Sequence, residues 1–376
     1  MTGLRKRAGL LAAVMAVTVI AAACSKSTTT VTTSGGTGST GSTGGGFQGA
    51  PLTGAGATFP APVYALWFQK YKDVEPGALI NYQAIGSGGG IAQIAANTVD
   101  FGASDAPLQD TDIQTFNGRK ILEFPTVVGG IALAYNISVH GLKLDGPTVA
   151  DIFLGTITKW NDPKIQALNS SASLPDEKIT VAHRADSSGT TFVFTSWLAK
   201  ESPEWNSKVG ADKAVQWPVG VGGNGNDGVA AAIKQTDGAI GYVEYQYAIT
   251  SGLNISLIHT DQGQDLIPSV NSISTAAQGL TLPITPTTNI LNSSTPGAYP
   301  ISSTTYLLVP QDLTPLGQDK AQTLVDFLQW ALTDGQKLVT SLNYAPLPDA
   351  IGKQDLANLS QLQFNGKTLA PSSTVS

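Results

Sequence analysis

Apolar positions along this chain fall into short runs broken by glycine-rich turns, and the spacing within the runs alternates between that of strands and that of helices. Residues 52–59 read as a strand entering the turn Gly54-Ala-Gly56-Ala57-Thr58-Phe59. A helix then starts at Pro60-Ala-Pro62, where proline is tolerated in a first turn, and Val63, Leu66, Trp67 and Tyr71 share one face of it. The plan repeats. Residues 79–85 alternate as a strand, 86–90 (Gly-Ser-Gly-Gly-Gly) read as a turn, and Ile91, Ile94, Ala95 and Thr98 suit a helix. A third short strand, 99–103, ends at Ser104-Asp105. Successive strand ends therefore carry Thr58, Ser87 and Asp105, and the carboxyl ends of strands in open α/β sheets are where ligands bind.

Further along, two apolar runs between residues 124 and 135 meet at Gly129-Gly130, which suggests a crossing between two lobes. Residues 147–154 form a helix stopped by Gly155, and Trp160-Asn-Asp-Pro163 turns into another short one. Residues 179–182 are a short buried strand, followed by Arg184-Ala-Asp186-Ser187-Ser188-Gly189-Thr190 and a helix over 191–198. A Ser-Gly-Thr turn at a helix start offers free N–H groups, hydroxyl donors and the positive end of the helix dipole, so with Arg184 it is shaped to hold a small anion. Taken alone it reads equally as an N-capping hydroxyl beside a surface arginine paired with Asp186. Residues 238–243 are another buried strand, 253–299 are Ser/Thr/Asn-rich and weakly patterned, and 302–309 are again a strand. The clearest amphipathic helix spans 319–332, and helices near 336–342 and 348–359 complete the first lobe.

Charge and the amino terminus narrow the possibilities. At 376 residues the chain is long enough for about two domains with their own cores. It carries 27 acids against 21 bases, and loss of Arg5, Lys6 and Arg7 with an export signal leaves 18 bases and a net charge of −9. A general basic field for nucleic acid is absent, so an anion must be captured by local donors. Arg5-Lys-Arg7 precedes an apolar run over 10–23 that is too short to span a membrane comfortably and ends in Ala21-Ala-Ala-Cys24. Cys24 is the sole cysteine, which rules out an internal disulfide, and its setting resembles a bacterial lipoprotein lipobox. The expected plan is a signal peptide over 1–23, Cys24 as the lipidated mature N-terminus, and a flexible Thr/Ser/Gly tether over 24–49 with a reach of roughly 25–30 Å.

Enzyme motifs are sparse. His140, His183 and His259 are scattered and give no zinc pattern with one cysteine. Gly86-Ser-Gly88 lacks the glycine two before the serine that a nucleophile elbow needs, and His183, Asp186 and Ser187 crowd one loop, where a catalytic relay seldom forms. Gly220-Val-Gly-Gly-Asn-Gly225 fits a dinucleotide fingerprint but falls late in the chain, and Asn226 or Asp227 capping a helix over 229–233 explains it. No catalytic residue, metal or cofactor is expected.

Donor-rich turns recur instead, and several motifs in order carry a resemblance. Thr53-Gly-Ala-Gly-Ala-Thr-Phe-Pro-Ala-Pro62, Ile85-Gly-Ser-Gly-Gly89, Asp100-Phe-Gly-Ala-Ser-Asp-Ala-Pro107, Arg184-Ala-Asp-Ser-Ser-Gly-Thr190 and Gly238-Ala-Ile-Gly-Tyr-Val-Glu-Tyr245 resemble the phosphate-binding proteins of bacterial phosphate ABC importers. Trp217-Pro-Val-Gly220, Gly225-Asn-Asp-Gly228 and Ile301-Ser-Ser-Thr-Thr305 extend the likeness, and Ser187 stands where the family's loop commonly has glycine. The resemblance implies an α/β, two-lobe periplasmic-binding-protein fold (type II), with a ligand cleft between lobes joined by a two-strand hinge near 133–136 and 299–303. Lobe I would comprise 50–134 and 301–376, and lobe II 135–300. Ala57, Thr58, Phe59, Ser87, Asp105, Arg184, Ser188, Gly189 and Thr190 would contact phosphate, with Asp186 holding Arg184. Asp105 would accept a hydrogen bond from the protonated anion, which sulfate does not offer. The implied partners are inorganic phosphate, ABC permease subunits and a membrane reached through the lipid on Cys24, with no nucleic acid and a monomeric, non-enzymatic chain. A receptor for another tetrahedral oxyanion and a secreted phosphohydrolase are the alternatives.

Overall fold

The computed structural model describes residues 49–280 and 290–372; the expected signal peptide, the expected lipidation site Cys24 and nearly all of the expected tether lie outside them. Three strand–helix units open the fold: β1 (Leu52–Gly56) with α1 (Ala61–Val74), β2 (Ile80–Ala84) with α2 (Ser87–Ala95), and β3 (Phe101–Ser104) with α3 (Asp110–Thr115). The long β4 (Ile121–Tyr135) follows, then β5 (Lys143–Asp145), α4 (Gly146–Phe153) and α5 (Pro163–Leu168). Strand–helix units then resume with β6 (Thr180–Arg184), α6 (Gly189–Glu201) and α7 (Pro203–Lys208). They continue through β7 (Val221–Gly223), α8 (Gly225–Gln235), β8 (Ala239–Glu244) and α9 (Tyr245–Ser251). The weakly patterned region contains β9 (Asn254–Ile255), β10 (Leu257–His259), β11 (Asp265–Leu266) and α10 (Val270–Ala277). Then come β12 (Ser302–Pro310), α11 (Gln318–Leu332), a 3-10 helix (Gly335–Leu342), α12 (Asp349–Asn358) and the hairpin β13 (Gln363–Phe364)/β14 (Lys367–Thr368).

One curled sheet organises these elements in the order β2-β1-β3-β12-β4-β8-β6-β7, with β9 against β4. β1 pairs in parallel with β2 and β3, β6 pairs in parallel with β7 and β8, and β12 and β4 run antiparallel to their neighbours. The strand β4 belongs to both halves. Its residues up to Gly130 pair with β12, and from Ile131 onward they pair with β8. From Phe124 to Tyr135 every residue of β4 is buried, as a continuous apolar run covered on both faces requires. The exchange of partners thus falls a few residues upstream of 133–136. Beside it, the Ile131 N–H donates to the Ile301 carbonyl (2.8 Å) and the Tyr299 hydroxyl donates to the Ile131 carbonyl (2.8 Å). The result is a two-domain α/β fold.

Local packing explains where the elements depart from the sequence pattern. Residues 86–90 are not a free turn, because α2 begins at Ser87 and its glycines form the first helical turn. A Cβ at Gly90 would sit 2.5 Å from the Gly56 Cα and 2.7 Å from the Ala55 carbonyl, so the glycine lets the helix lie directly on β1. On α1 the residue that joins Val63, Trp67 and Tyr71 in the core is Tyr64, while Leu66 stays half-buried. Tyr64 stacks on Trp67, whose indole N–H donates to the Gly335 carbonyl at 2.8 Å, tying the late 3-10 segment to the first domain. In the second domain Tyr242 stacks on Phe194 with centroids 4.3 Å apart, and Phe153 and Trp217 close the cluster.

Candidate functional site

Four helix starts meet where the two domains touch. α1 follows Thr58 and Phe59, α2 starts at Ser87, α6 at Gly189 and α8 at Gly225. The N-cap positions of α1, α2 and α8 (Pro60, Gly86 and Asn224) make no side-chain cap bond. The Gly88, Gly225 and Asn226 N–H groups in these first turns are taken by the Ser187 carbonyl, Asp186 Oδ1 and Thr58 Oγ1, so α2 and α8 bring to the site the positive ends of their dipoles, which suit an anion. The Thr58 and Phe59 N–H groups find no acceptor among the described residues. Ala57 differs from its expected role. Its N–H donates to the Ala103 carbonyl (3.1 Å) and its carbonyl accepts from Tyr82 (2.8 Å), so it walls the site without offering a polar group.

The loop from Arg184 to Thr190 supplies the second wall. Arg184 is 3% exposed, and its guanidinium grips Asp186 through Nε (2.7 Å, to Oδ1) and through Nη2 to Oδ2. Its Nη1 donates to the Thr190 hydroxyl at 3.3 Å. Burial alone would raise the Asp186 carboxyl, but the Arg184 contacts and the Gly225 N–H (3.1 Å) hold it below the ordinary range. The aromatic cluster positions this loop, since the Tyr242 hydroxyl accepts from the Arg184 N–H (3.2 Å) and bonds the Thr191 hydroxyl (2.6 Å). Ser188 caps α6 by accepting from the Thr191 N–H at 3.2 Å, and its own N–H is held by the Lys213 carbonyl at 2.8 Å. The Lys213 ammonium in turn crosses to Asp112 of the first domain (2.6 Å).

Asp105 faces this loop from the end of β3. It is 2% exposed, and burial pushes its carboxyl up to about 7 against the pull of the Thr305 hydroxyl, the Arg184 charge and the Thr190 hydroxyl and N–H. The Thr305 hydroxyl donates to Asp105 Oδ1 at 2.8 Å. A Cβ at residue 189 would lie 2.5 Å from the Asp105 Cβ and 2.6 Å from both Asp105 Oδ2 and Ser87 Oγ, so only glycine admits the carboxylate against the start of α6.

The hydroxyls around Asp105 share a property that no single motif discloses. Ser87 Oγ accepts from the Asp105 N–H (3.2 Å) and the Gly189 N–H (3.0 Å). Thr58 Oγ1 accepts from the Asn226 backbone N–H (3.2 Å) and from its Nδ2 (2.9 Å). Thr190 Oγ1 accepts from Arg184 Nη1 and from Asn226 Nδ2 (3.2 Å). A hydroxyl has two lone pairs and one proton, so each of these three oxygens is left with a proton to donate. The site is thus rich in donors, and Asp105 is the carboxylate set among them.

Hydrogen bonds bring Ser87, Asp105 and Gly189 together, and Asn226 and Arg184 link Thr58 to Thr190 beside them, while Ser188 bonds Lys213 and Thr191 and the Gly189 N–H is held by Ser87. Asn226 was not among the residues expected at the site. It sits in the first turn of α8, which starts at Gly225 rather than capping a shorter helix, and its side chain turns inward to Thr58 and Thr190. Its only sequence signal was the Gly225-Asn-Asp-Gly228 stretch. His183 takes no part in a relay: it stacks on Trp217 (4.8 Å) and bonds the Arg184 carbonyl (3.1 Å).

Residues 25–334 match the family model described as the PBP superfamily domain, which gives the class: a two-domain solute-binding fold. The phosphate-binding protein PstS of Xylella fastidiosa (strain Temecula1) is 42% identical over 308 residues, covering 81% of this chain and 83% of that protein. PstS of Pasteurella multocida is 41% identical over 309 residues, covering 81% and 88%. A crystal structure of the phosphate-binding protein from Stenotrophomonas maltophilia superposes with a TM-score of 0.65 at 19% identity, covering 85% of this chain and 96% of that one, and shares its fold. The chain belongs to the PstS family of phosphate-binding proteins.

Proposed function

We propose that this chain binds inorganic phosphate outside the cytoplasmic membrane and delivers it to the permease of an ABC importer, without covalent chemistry. The observation that carries this reading is a buried carboxylate, Asp105, set among hydroxyl and N–H donors and one buried arginine. Phosphate near neutral pH keeps at least one proton and can donate it to Asp105. Sulfate has none and would meet the carboxylate with repulsion and an unpaired acceptor, a mismatch worth several powers of ten in affinity. Membership of the PstS family supports the ligand and, through it, the importer.

In this reading Thr58, Phe59, Ser87, Ser188, Gly189 and Thr190 donate to the anion, Arg184 supplies the cation, and Asp186 keeps the guanidinium in place. The bound anion takes over the Gly189 N–H that Ser87 holds here. Residues 50–134 with 301–376 form one lobe and 135–300 the other, and they close by a hinge at their crossing strands. The chain is made with a signal peptide over 1–23, is anchored by lipid on Cys24, and works as a monomer. Titrating anion-stripped protein with inorganic phosphate in a calorimeter should show one site per chain at micromolar Kd or tighter, with no turnover of a generic phosphate ester. No binding heat, or ester turnover, overturns the reading.

A further inference from the structure

Asn226 is fully buried, polar, and bonded to both domains at once. From the start of α8 in the second domain its Nδ2 reaches Thr58 Oγ1, in the first domain, at 2.9 Å and Thr190 Oγ1 at 3.2 Å. Its Oδ1 accepts from the Glu244 N–H at 2.9 Å, which decides the orientation of the amide: the oxygen must face β8, so the two N–H groups must face the threonines. We infer that Asn226 is a positioning residue that fixes the Thr58 and Thr190 hydroxyls as donors, rather than acceptors, within the anion site.

The physical reason is a count of lone pairs. Thr58 Oγ1 already accepts the Asn226 backbone and side-chain N–H groups, and Thr190 Oγ1 accepts Asn226 and Arg184. Neither oxygen can accept a further strong bond, so each proton points away from Asn226. A free threonine hydroxyl would rotate and could accept the proton of a phosphate P–OH in place of Asp105. With both hydroxyls committed to donating, neither competes with Asp105 for that proton. Asn226 therefore acts on affinity, by pre-setting two donors, and on selectivity, by removing two hydroxyls that would otherwise compete with the carboxylate as acceptors. Asp186 makes the arrangement continuous with the cation, because it binds both the Arg184 guanidinium and the Gly225 N–H at the residue before Asn226.

This rests on the phosphate reading, and the experiment separates the two. Phosphate is titrated into the full chain as wild type, Asn226→Ala, Asn226→Asp, the Thr58→Val/Thr190→Val pair, and both Asn226 variants in that background. Asn226→Ala should raise the phosphate Kd about tenfold or more in the wild-type background and about twofold or less where both hydroxyls are gone. Asn226→Asp keeps the size and the Glu244 contact but turns the Thr58 and Thr190 protons toward itself. Its loss should be larger than that of Asn226→Ala, and it should shrink in the valine background even if the alanine variant fails to fold. Losses that add in full across the two backgrounds mark a merely structural residue and overturn the inference, as does wild-type affinity in either variant. Failure of the wild-type chain to bind phosphate would instead overturn the function.

Discussion

Burial works against the charge of Asp105, and the fold keeps the residue there. The folded chain holds its proton up to about pH 7, whereas an ordinary aspartate releases it near 3.8. Between those values the folded state binds a proton that the unfolded chain has lost, so ionising Asp105 destabilises the fold as pH rises through this window, by up to about 4 kcal/mol when complete. Asp105→Asn removes that penalty. In the absence of phosphate the variant should melt above the wild type at about pH 8, and the margin should narrow at about pH 5, where the wild type is mostly neutral. A margin that widens toward acid would contradict the assignment. Arg184 is the opposite case, because its charge is matched by Asp186 at a bidentate distance and stays available to an anion through Nη1.

Among the elements, the starts of α1, α2, α6 and α8 come together at the candidate site, and α2 is aimed by how tightly it lies on the sheet. On α2, Gly90 leaves no space for a side chain over Gly56, Ala55 and Ala103. Gly90→Ala must push the helix off β1 and should destabilise the fold by about 1–3 kcal/mol in urea unfolding, with a loss of phosphate affinity through displaced Ser87. Unchanged unfolding would show that the helix has slack. The strand-end logic made Thr58, Ser87 and Asp105 legible from spacing alone, and the donor-rich turn at Ser188-Gly-Thr190 was visible as a helix start. Less was legible where one-dimensional pattern and packing diverge. The run 86–90 reads as a turn because glycine signals a turn locally, while close approach to β1 is a property of the folded sheet. Asn226 reads as a cap because caps are local, whereas its partners lie 168 and 36 residues away. The strands in 253–299 hid because β9, β10 and β11 are two or three residues long and take their stability from pairing with β4, β5 and β10 in turn.

On the scale of the whole molecule, β4 joins the two halves of the sheet, so the domains share a backbone ladder at Gly130–Ile131 and meet again through side chains and loops at the site. Cross-domain bonds converge there: Gly189 to Ser87, Asn226 to Thr58, the Tyr247 hydroxyl to the Thr58 carbonyl at 2.7 Å, and Lys213 to Asp112. An anion between the domains adds contacts to both and favours the arrangement in which they touch. The net-acidic chain supplies this capture with neutral donors and one cation, and the account holds that one carboxylate then decides which anion stays. The most direct test is the ratio of phosphate to sulfate affinity, measured by calorimetric competition at about pH 8 for wild type, Arg184→Ala and Asp105→Asn. The account predicts that Arg184→Ala weakens both anions while keeping the preference for phosphate, and that Asp105→Asn lowers the preference by at least about a hundredfold. A wild-type chain that sulfate displaces as readily as phosphate, or an Asp105→Asn variant that keeps the full preference, would contradict it.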